Sequence, residues 1–424
     1  MRILYLSPTN SLGGAERVLL SVMTAVRRAD PAADLYLMAP GDGPLTRRAE
    51  AAGVCTARLP LPAALASLGD SRPTQAGPSR RLGALLRQAL AAAPAVWRCV
   101  GRLRRGVREI DPDVIHSNGI KTHLLCRLAW SGRAPVLWHV HDFYSHRPAA
   151  RPLLRAARGG AAGAVAVSGA VARDARRALP GLPVAAVYNT VDTAEFAPAD
   201  GDAAWLDAAA GLPPAAAGTV RVGLIATYAR WKGHEIFLEA AARVAAAGTG
   251  RPVRFFVIGG PIYQTRGSQY SEAELRAIAR GRGVEGRVGF VGFQDDPAGA
   301  FRALDVVVHA STRPEPFGLT IAEAMACGKP VVAARSGGAA ELFRNGHDAL
   351  GAPPGDARGL AAALTELVGD PVLRARLGEN ARRTALVRFN RDGLAGRFLR
   401  IYSVLGRGHR IDLAPIRGTA DVFD

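Results

Sequence analysis

Two doubly wound α/β domains, each built on a parallel sheet, are the fold that this 424-residue sequence predicts. Three observations predict it. Short apolar runs alternate with helical patterns along most of the chain, as in βαβ units whose strands are covered on both faces. A stretch over 191–219 is rich in Ala, Pro, Gly and Asp, lacks a strand pattern and separates two halves of similar size. At roughly 100–200 residues per domain, the length accommodates two or three domains, each large enough for its own core.

The elements follow in order. In the first half the runs 3–6, 34–38, 114–116, 136–140, 164–167 and 184–187 read as buried strands with helical segments between them. The second half repeats the theme with strands at 220–225, 253–258, 288–291, 306–309 and 331–333. Its helices are expected near 233–247, 271–281, 319–326 and 356–368, with two more over 371–405. The expected organisation is therefore a domain over 1–190, a linker over 191–219, a second domain over 220–388, and a closing helix and tail over 389–424 that crosses back to the first domain. Open sheets of this kind bind ligands beyond the carboxyl ends of their strands, and two facing domains would share one cleft there.

Composition removes several classes of function. With 49% hydrophobic and 21% charged residues, wholesale disorder is excluded. The 54 Lys and Arg exceed the 36 Asp and Glu by 18, which admits nucleic acid, an anionic membrane or a phosphorylated ligand as partner. Only Lys121, Lys232 and Lys329 are lysines, so nearly all of this charge is Arg. Cys55, Cys99, Cys126 and Cys327 form no C-x-x-C pair, which argues against a disulfide framework or a zinc knuckle and for a reducing compartment. No His, Cys or carboxylate cluster has metal-ligand spacing, so no metal and no cofactor are expected. The short apolar run after Arg2 is expected to form a strand rather than a secretory leader. The uncharged stretch 159–172 is too short to span a bilayer, and a cytoplasmic location follows.

The most informative segment is Ser311-Thr-Arg-Pro-Glu315-Pro-Phe317-Gly318-Leu319-Thr320-Ile-Ala-Glu323-Ala-Met-Ala-Cys-Gly328-Lys-Pro330. Pro316 and Gly318 mark a loop after a strand, and Gly328 with Pro330 ends the helix that follows. The backbone N–H groups of Gly318, Leu319 and Thr320 then form an anion site, reinforced by the helix dipole. Glu315 precedes this site and Glu323 lies about one turn inside the helix. Carboxylates there would repel a phosphate, so both are suited to accepting hydrogen bonds from hydroxyls. Hydroxyls at both ends of a diphosphate describe a nucleotide sugar.

The string Glu-Pro-Phe-Gly-x-x-x-x-Glu-Ala-Met-Ala-x-Gly-x-Pro-Val, with its two glutamates, resembles the motif of the family 4 retaining glycosyltransferases of GT-B fold. Other segments fall in the order that this resemblance implies. Arg230-Trp-Lys232-Gly233 follows the first strand of the second domain, as the family's lysine-glycine motif does, and places the Lys232 ammonium on a diphosphate. Five residues before it, where the family carries Arg, stands Thr227. Either Thr227 donates a weaker hydrogen bond there, or Arg230 or another Arg supplies the second charge. Gly259-Gly260 matches a glycine turn beside the nucleoside, and 291–293 a loop that holds the base. The Leu12-Gly13-Gly14-Ala-Glu16 loop lacks the dinucleotide-binding spacing, and the resemblance puts Gly13 and Gly14 against the donor diphosphate or the acceptor. His141-Asp142 matches the family's His-Asp pair at the reaction centre. His139 shares the strand face of His141, and His116 and Asn118 end a neighbouring strand.

The resemblance implies that the first domain is the acceptor side, that 220–388 binds the nucleotide sugar, and that a hexosyl unit passes from a UDP- or GDP-sugar to a hydroxyl of a glycan or lipid-linked acceptor with its anomeric configuration retained. It places Lys232, Glu315 and His141 at the reaction. Thr227, Arg230, Gly259, Phe317 and Glu323, with the glycines and the Gly318–Thr320 amides, hold the donor. A GT-B-fold epimerase and a non-catalytic nucleotide-sugar-binding protein are the alternatives.

The basic excess is local. Nine Arg and no acidic residue fall within 72–108, half of the net +18. The segment reads as a basic helix that is either a solvated face or a peripheral contact with an anionic inner leaflet, and nucleic acid is not expected as a partner.

Overall fold

A computed structural model of the chain describes residues 1–62, 78–129, 132–261, 267–294 and 296–406, without the side chains of 78–91. The basic-segment residues 72–77 and the tail 407–424 lie outside the described residues. Two compact units divide the chain, one formed by the residues up to Asn189 with those from Arg391 on, the other by Thr190–Asn390.

In the first unit seven strands, β1 (Arg2–Leu6), β2 (Asp34–Ala39), β3 (Cys55–Arg58), β4 (Val114–Asn118), β5 (Val136–Val140), β6 (Gly163–Ala166) and β7 (Val184–Ala186), lie in the order β3-β2-β1-β4-β5-β6-β7. Every pairing is parallel. Helices α1 (Gly14–Ala29), α2 (Pro44–Ala51), α3 (Pro78–Ile110), α4 (Ile120–Ala129), α5 (Arg151–Ala157) and α6 (Gly169–Ala178) connect them. Residues Ile3 to Leu6 are fully buried, which is why β1 reads as an unbroken apolar run. Ser168 caps α6, its Oγ accepting from the Val171 N–H at 3.2 Å.

The second unit repeats the plan with six parallel strands, β8 (Val220–Ile225), β9 (Val253–Ile258), β10 (Val288–Val291), β11 (Val306–His309), β12 (Val331–Ala334) and β13 (Leu350–Ala352), ordered β10-β9-β8-β11-β12-β13. Its helices are α7 (Ala203–Ala209), α8 (His234–Ala247), α9 (Glu272–Gly281), α10 (Pro297–Arg302), α11 (Leu319–Ala326), α12 (Ala357–Gly369) and α13 (Pro371–Arg388). The last helix, α14 (Asp392–Gly406), belongs to the first unit, where Leu394, Phe398, Ile401, Tyr402 and Leu405 enter the core beside Leu19, Val22 and Val26 of α1. In both units the order reverses beside the first strand, between β1 and β4 and between β8 and β11. These are the switch points at which open α/β sheets leave a crevice.

The stretch 191–219 differs from a plain linker. Asp202 caps α7 by accepting from the Trp205 N–H at 2.7 Å, a start that the Ala-rich composition conceals. Arg382 ties the segment down by donating to the carbonyls of Thr193 and Phe196, at 3.1 and 2.9 Å. Asp207 on α7 is buried between Arg221 at 2.6 Å and Arg254 at 2.8 Å. Burial raises its pKa, but hydrogen bonds and charge from the two guanidiniums outweigh that and hold the carboxyl below its ordinary value. Asp207→Ala strands two half-buried cations and is expected to cost about 3–5 kcal/mol of stability, read as a lower Tm at neutral pH. The sign with pH follows from the depressed pKa. The contribution is present above the unfolded-state value of about 4 and is lost as the pH falls through the lower folded-state value, so the gap in Tm between wild type and Asp207→Ala closes in acid.

Candidate active site

The residues singled out by sequence fall at the carboxyl edges of the two sheets, after β1, in β4 and after β5 in the first unit, and after β8, β9 and β11 in the second. Each half is described within its own unit.

In the second unit, β8 leads through Thr227 into a 3-10 turn over Arg230–Lys232, and Gly233 starts α8. Thr312, just after β11, donates its N–H to the Trp231 carbonyl at 2.8 Å and so fastens the two loops together. Gly233 has φ +79°, and a Cβ there would lie 1.8 Å from the Ala310 carbonyl oxygen, so only glycine allows this approach. The juxtaposition delivers Lys232 Nζ to Glu315 Oε2 at 2.8 Å and over the Trp231 ring, 4.2 Å from its centroid. Ser311 Oγ donates to the same carboxylate oxygen at 2.9 Å, and His309 Nε2 lies 3.1 Å from it. Glu315 is buried. Burial alone would raise its pKa, but the Lys232 charge and the His309 contact outweigh that and hold it far below the usual carboxylate range. The carboxylate is therefore ionised, with Oε2 committed to three neighbours. His309 and Ser311 were not singled out from the sequence, although both stand within six residues of Glu315.

The Glu315 loop is also held from its other side. Gly338 N–H donates to the Glu315 carbonyl at 2.7 Å, so the Ser336-Gly337-Gly338 turn forms its wall. Gly318 occupies the N-cap of α11 with φ +105° and provides no side chain for the first turn, where the amides of Leu319 and Thr320 begin the helix. Glu323 is half-buried further along α11. At the end of β9, Gly259 has φ +141°, and a Cβ would meet the Ala226 carbonyl at 2.1 Å, so this turn lies flush against the end of β8. Thr227 Oγ1 is buried and meets no hydrogen-bond partner among the described residues.

Two of the expected donor residues have protein partners of their own. Arg230 pairs with Glu274, at the start of α9, at 2.7 Å and lies 4.2 Å over the Tyr270 ring. The Phe317 side chain is 3% exposed and packs edge-on against Phe389, which anchors the loop.

In the first unit, side-chain alternation puts His116 and Asn118 of β4 on the same sheet face as His139 of β5 and His141 just beyond it, with Asn118 paired in register with His139. His116 Nε2 meets His139 Nδ1 at 3.1 Å, while its Nδ1 meets the Tyr402 hydroxyl of α14 at 2.7 Å. His139 is thereby enclosed. One step toward the carboxyl edge, His141 Nε2 lies 2.6 Å from Asn118 Oδ1, and Asn118 Nδ2 reaches the Ala15 carbonyl at 3.5 Å. Burial pushes the His141 pKa down to about 3, so at neutral pH the ring is an uncharged hydrogen-bonding group. Gly13 caps α1, but the buried Glu16 carboxylate folds back onto the Gly13 amide, and a Cβ on Gly13 would lie 2.7 Å from Glu16 Oε2. A carboxylate already seated there disfavours phosphate at Gly13 and Gly14 and leaves the loop suited to hydroxyls. Among the described residues no group of three or more His, Cys, Asp or Glu could hold a metal ion.

Two doubly wound parallel sheets, one carrying a lysine beside an open helix N-terminus at its carboxyl edge and the other an uncharged histidine, define a two-domain α/β protein. Comparison with known proteins names the group. Residues 217–384 match the family model described as glycosyl transferases group 1, and residues 12–195 match the model described as glycosyltransferase family 4. The chain belongs to the glycosyltransferases of this family 4 type, with the GT-B fold. It is 39% identical over 127 residues to the lipopolysaccharide core biosynthesis glycosyltransferase LpsE of Rhizobium meliloti, covering 30% of this chain and 37% of that protein. It is 36% identical over 232 residues to a D-inositol 3-phosphate glycosyltransferase of Streptomyces bingchenggensis, covering 54% of this chain and 49% of that one. The chain thus spans half or less of the curated relatives it matches. Among solved structures, Anabaena HepE in complex with UDP superposes with a TM-score of 0.76 at 26% identity, over 96% of this chain and all of that one.

Proposed function

We propose that this chain is a retaining glycosyltransferase that moves a hexosyl unit from a UDP-sugar to a hydroxyl of a glycan or lipid-linked acceptor. The observation that carries this reading is the buried Lys232–Glu315 pair beside the uncapped start of α11. A nucleoside diphosphate leaving group develops negative charge, and a fixed ammonium with helix-terminal amides is a preorganised environment for it. Glu315 Oε1 and Glu323 accept hydrogen bonds from the hydroxyls at either end of the diphosphate. His141, uncharged, orients the sugar and is not a nucleophile. The donor's own phosphate assists the attack of the acceptor hydroxyl on the same face, which retains configuration. The UDP and UDP-glucose complexes of HepE support a uridine donor, and the lipopolysaccharide core relative supports a cell-surface glycan or glycolipid as acceptor.

The described half of α3 supports a peripheral contact with an anionic membrane. Trp97, Arg98, Arg102, Arg105 and Arg108 are exposed on it, and basic residues near such a surface contribute about 1 kcal/mol each. None of the described helices is long and apolar enough to cross a membrane.

The experiment is a panel of UDP-, GDP- and ADP-sugars, with and without a membrane extract. Release of UDP that depends on the extract, with sugar incorporated at its original anomeric configuration, is the expected result. An isomerised donor without acceptor would point to an epimerase, and binding without turnover to a passive sugar-nucleotide protein.

A further inference from the structure

We propose that Asn118 is a positioning residue that fixes His141 as the Nε2–H tautomer, so that the Nδ1 lone pair of His141 accepts a hydrogen bond from a hydroxyl of the bound sugar. The second clause rests on the reading above that His141 faces the sugar.

A neutral imidazole carries one N–H, and the partner of one nitrogen decides which. His141 Nε2 lies 2.6 Å from Asn118 Oδ1. The amide orientation is set from the other end, where Asn118 Nδ2 faces the Ala15 carbonyl at 3.5 Å. A carbonyl oxygen only accepts, and turning the amide over would oppose two acceptors there while facing an N–H₂ to His141. Asn118 Oδ1 therefore requires a donor at His141 Nε2, and Nδ1 is left with its lone pair.

The surroundings keep Asn118 in this pose. It is 1% exposed, and Gly119 with φ +101° turns the chain out of β4 immediately after it. Thr122 Oγ1 donates to the Gly119 carbonyl at 3.0 Å and secures that turn. Among the described residues the His141 ring makes no hydrogen bond besides that to Asn118. His139 lies against it with centroids 4.1 Å apart, but the His139 Nδ1 is engaged by His116, whose own Nδ1 meets Tyr402. Two carboxylates at this edge have partners of their own, Asp142 with Arg147 at 2.6 Å and Glu16 with the Gly13 amide.

An acceptor-only nitrogen has a consequence for specificity. A sugar hydroxyl can donate to it, whereas a carboxylate at that position of the sugar would set acceptor against acceptor. Neutral hexosyl donors are therefore preferred over uronic acid donors at this contact.

The test is long-range ¹H–¹⁵N spectroscopy of the full chain labelled at histidine. In the wild type, His141 is expected to show the neutral Nε2–H pattern from pH 6 to 8. In Asn118→Ala the pattern should move toward mixed tautomers while the other histidine signals keep their positions, and kcat/KM for the donor should fall about 10- to 100-fold. A wild-type His141 that is Nδ1–H or cationic overturns the proposal without any variant having to fold, as does an Asn118→Ala spectrum identical to wild type. If the tautomer is as assigned but His141→Ala transfers at the wild-type rate, the hydroxyl contact falls together with the assignment of His141 to the sugar, and the role of Asn118 in fixing the tautomer stands.

Discussion

Lys232→Ala is expected to lower transfer from a UDP-sugar by about 100- to 1,000-fold in kcat, the usual consequence of removing one preorganised donor from a site of developing negative charge. The substitution also leaves Glu315 as a buried carboxylate held only by His309 and Ser311. Breaking a buried pair costs about 3–5 kcal/mol, and the two remaining donors place this case toward the lower end. A fall in Tm should therefore accompany the loss of turnover. The two effects separate in the double variant Lys232→Met with Glu315→Gln, which removes both charges together. Its Tm should return toward wild type while transfer stays lost, measured by thermal denaturation beside UDP release. Recovery of transfer in the double variant would mean that Lys232 serves only to neutralise Glu315.

Gly233→Ala should be nearly as damaging, although residue 233 has no side chain to offer a ligand. Its Cβ would lie 1.8 Å from the Ala310 carbonyl oxygen, so the loop after β8 or the end of β11 must move by more than an ångström. The left-handed backbone adds about 1–3 kcal/mol of strain. Since Lys232 immediately precedes this residue, it moves too, and a displacement of about 1 Å in a catalytic group costs on the order of 100-fold. Gly248→Ala is the matched control. Gly248 is also left-handed, with φ +67°, but no atom lies within 4 Å of its would-be Cβ. It should lose only the backbone term in Tm and keep full transfer, whereas Gly233→Ala loses both.

Much of the fold was legible because buried parallel strands are short apolar runs, and 3–6, 220–225 and 253–258 could hardly be read otherwise. Two strands were not legible for the opposite reason. β3 is the edge strand Cys-Thr-Ala-Arg, with three of its four residues exposed and Thr56 half-buried, and β13 has three residues at the other sheet's edge. The helix Ala203–Ala209 was lost in an alanine-rich background, although Asp202 marks its start.

The site divides along the same line. Glu315, Gly318 and Glu323 stand in one local string whose spacing suggests an anion site flanked by hydroxyl acceptors, and Lys232 in a short motif whose role the family resemblance implies. The fate of Arg230 depends on Glu274, 44 residues away, and that of Phe317 on Phe389, so neither could be read from neighbours in sequence. The strand-face alternation that aligns His116 and Asn118 with His139 and His141 was available from sequence. Their hydrogen bonds were not, because they need the register of β4 on β5.

The measurement closest to the central claim is a calorimetric titration of UDP into the wild-type chain and into Lys232→Ala, with each protein shown to be folded. One UDP per wild-type chain, bound at least tenfold more weakly by the variant, is the predicted result. Equal affinity in the two proteins, or no binding of UDP to a wild-type chain that releases it from a UDP-sugar, would contradict the assignment of Lys232 and the start of α11 as the diphosphate site.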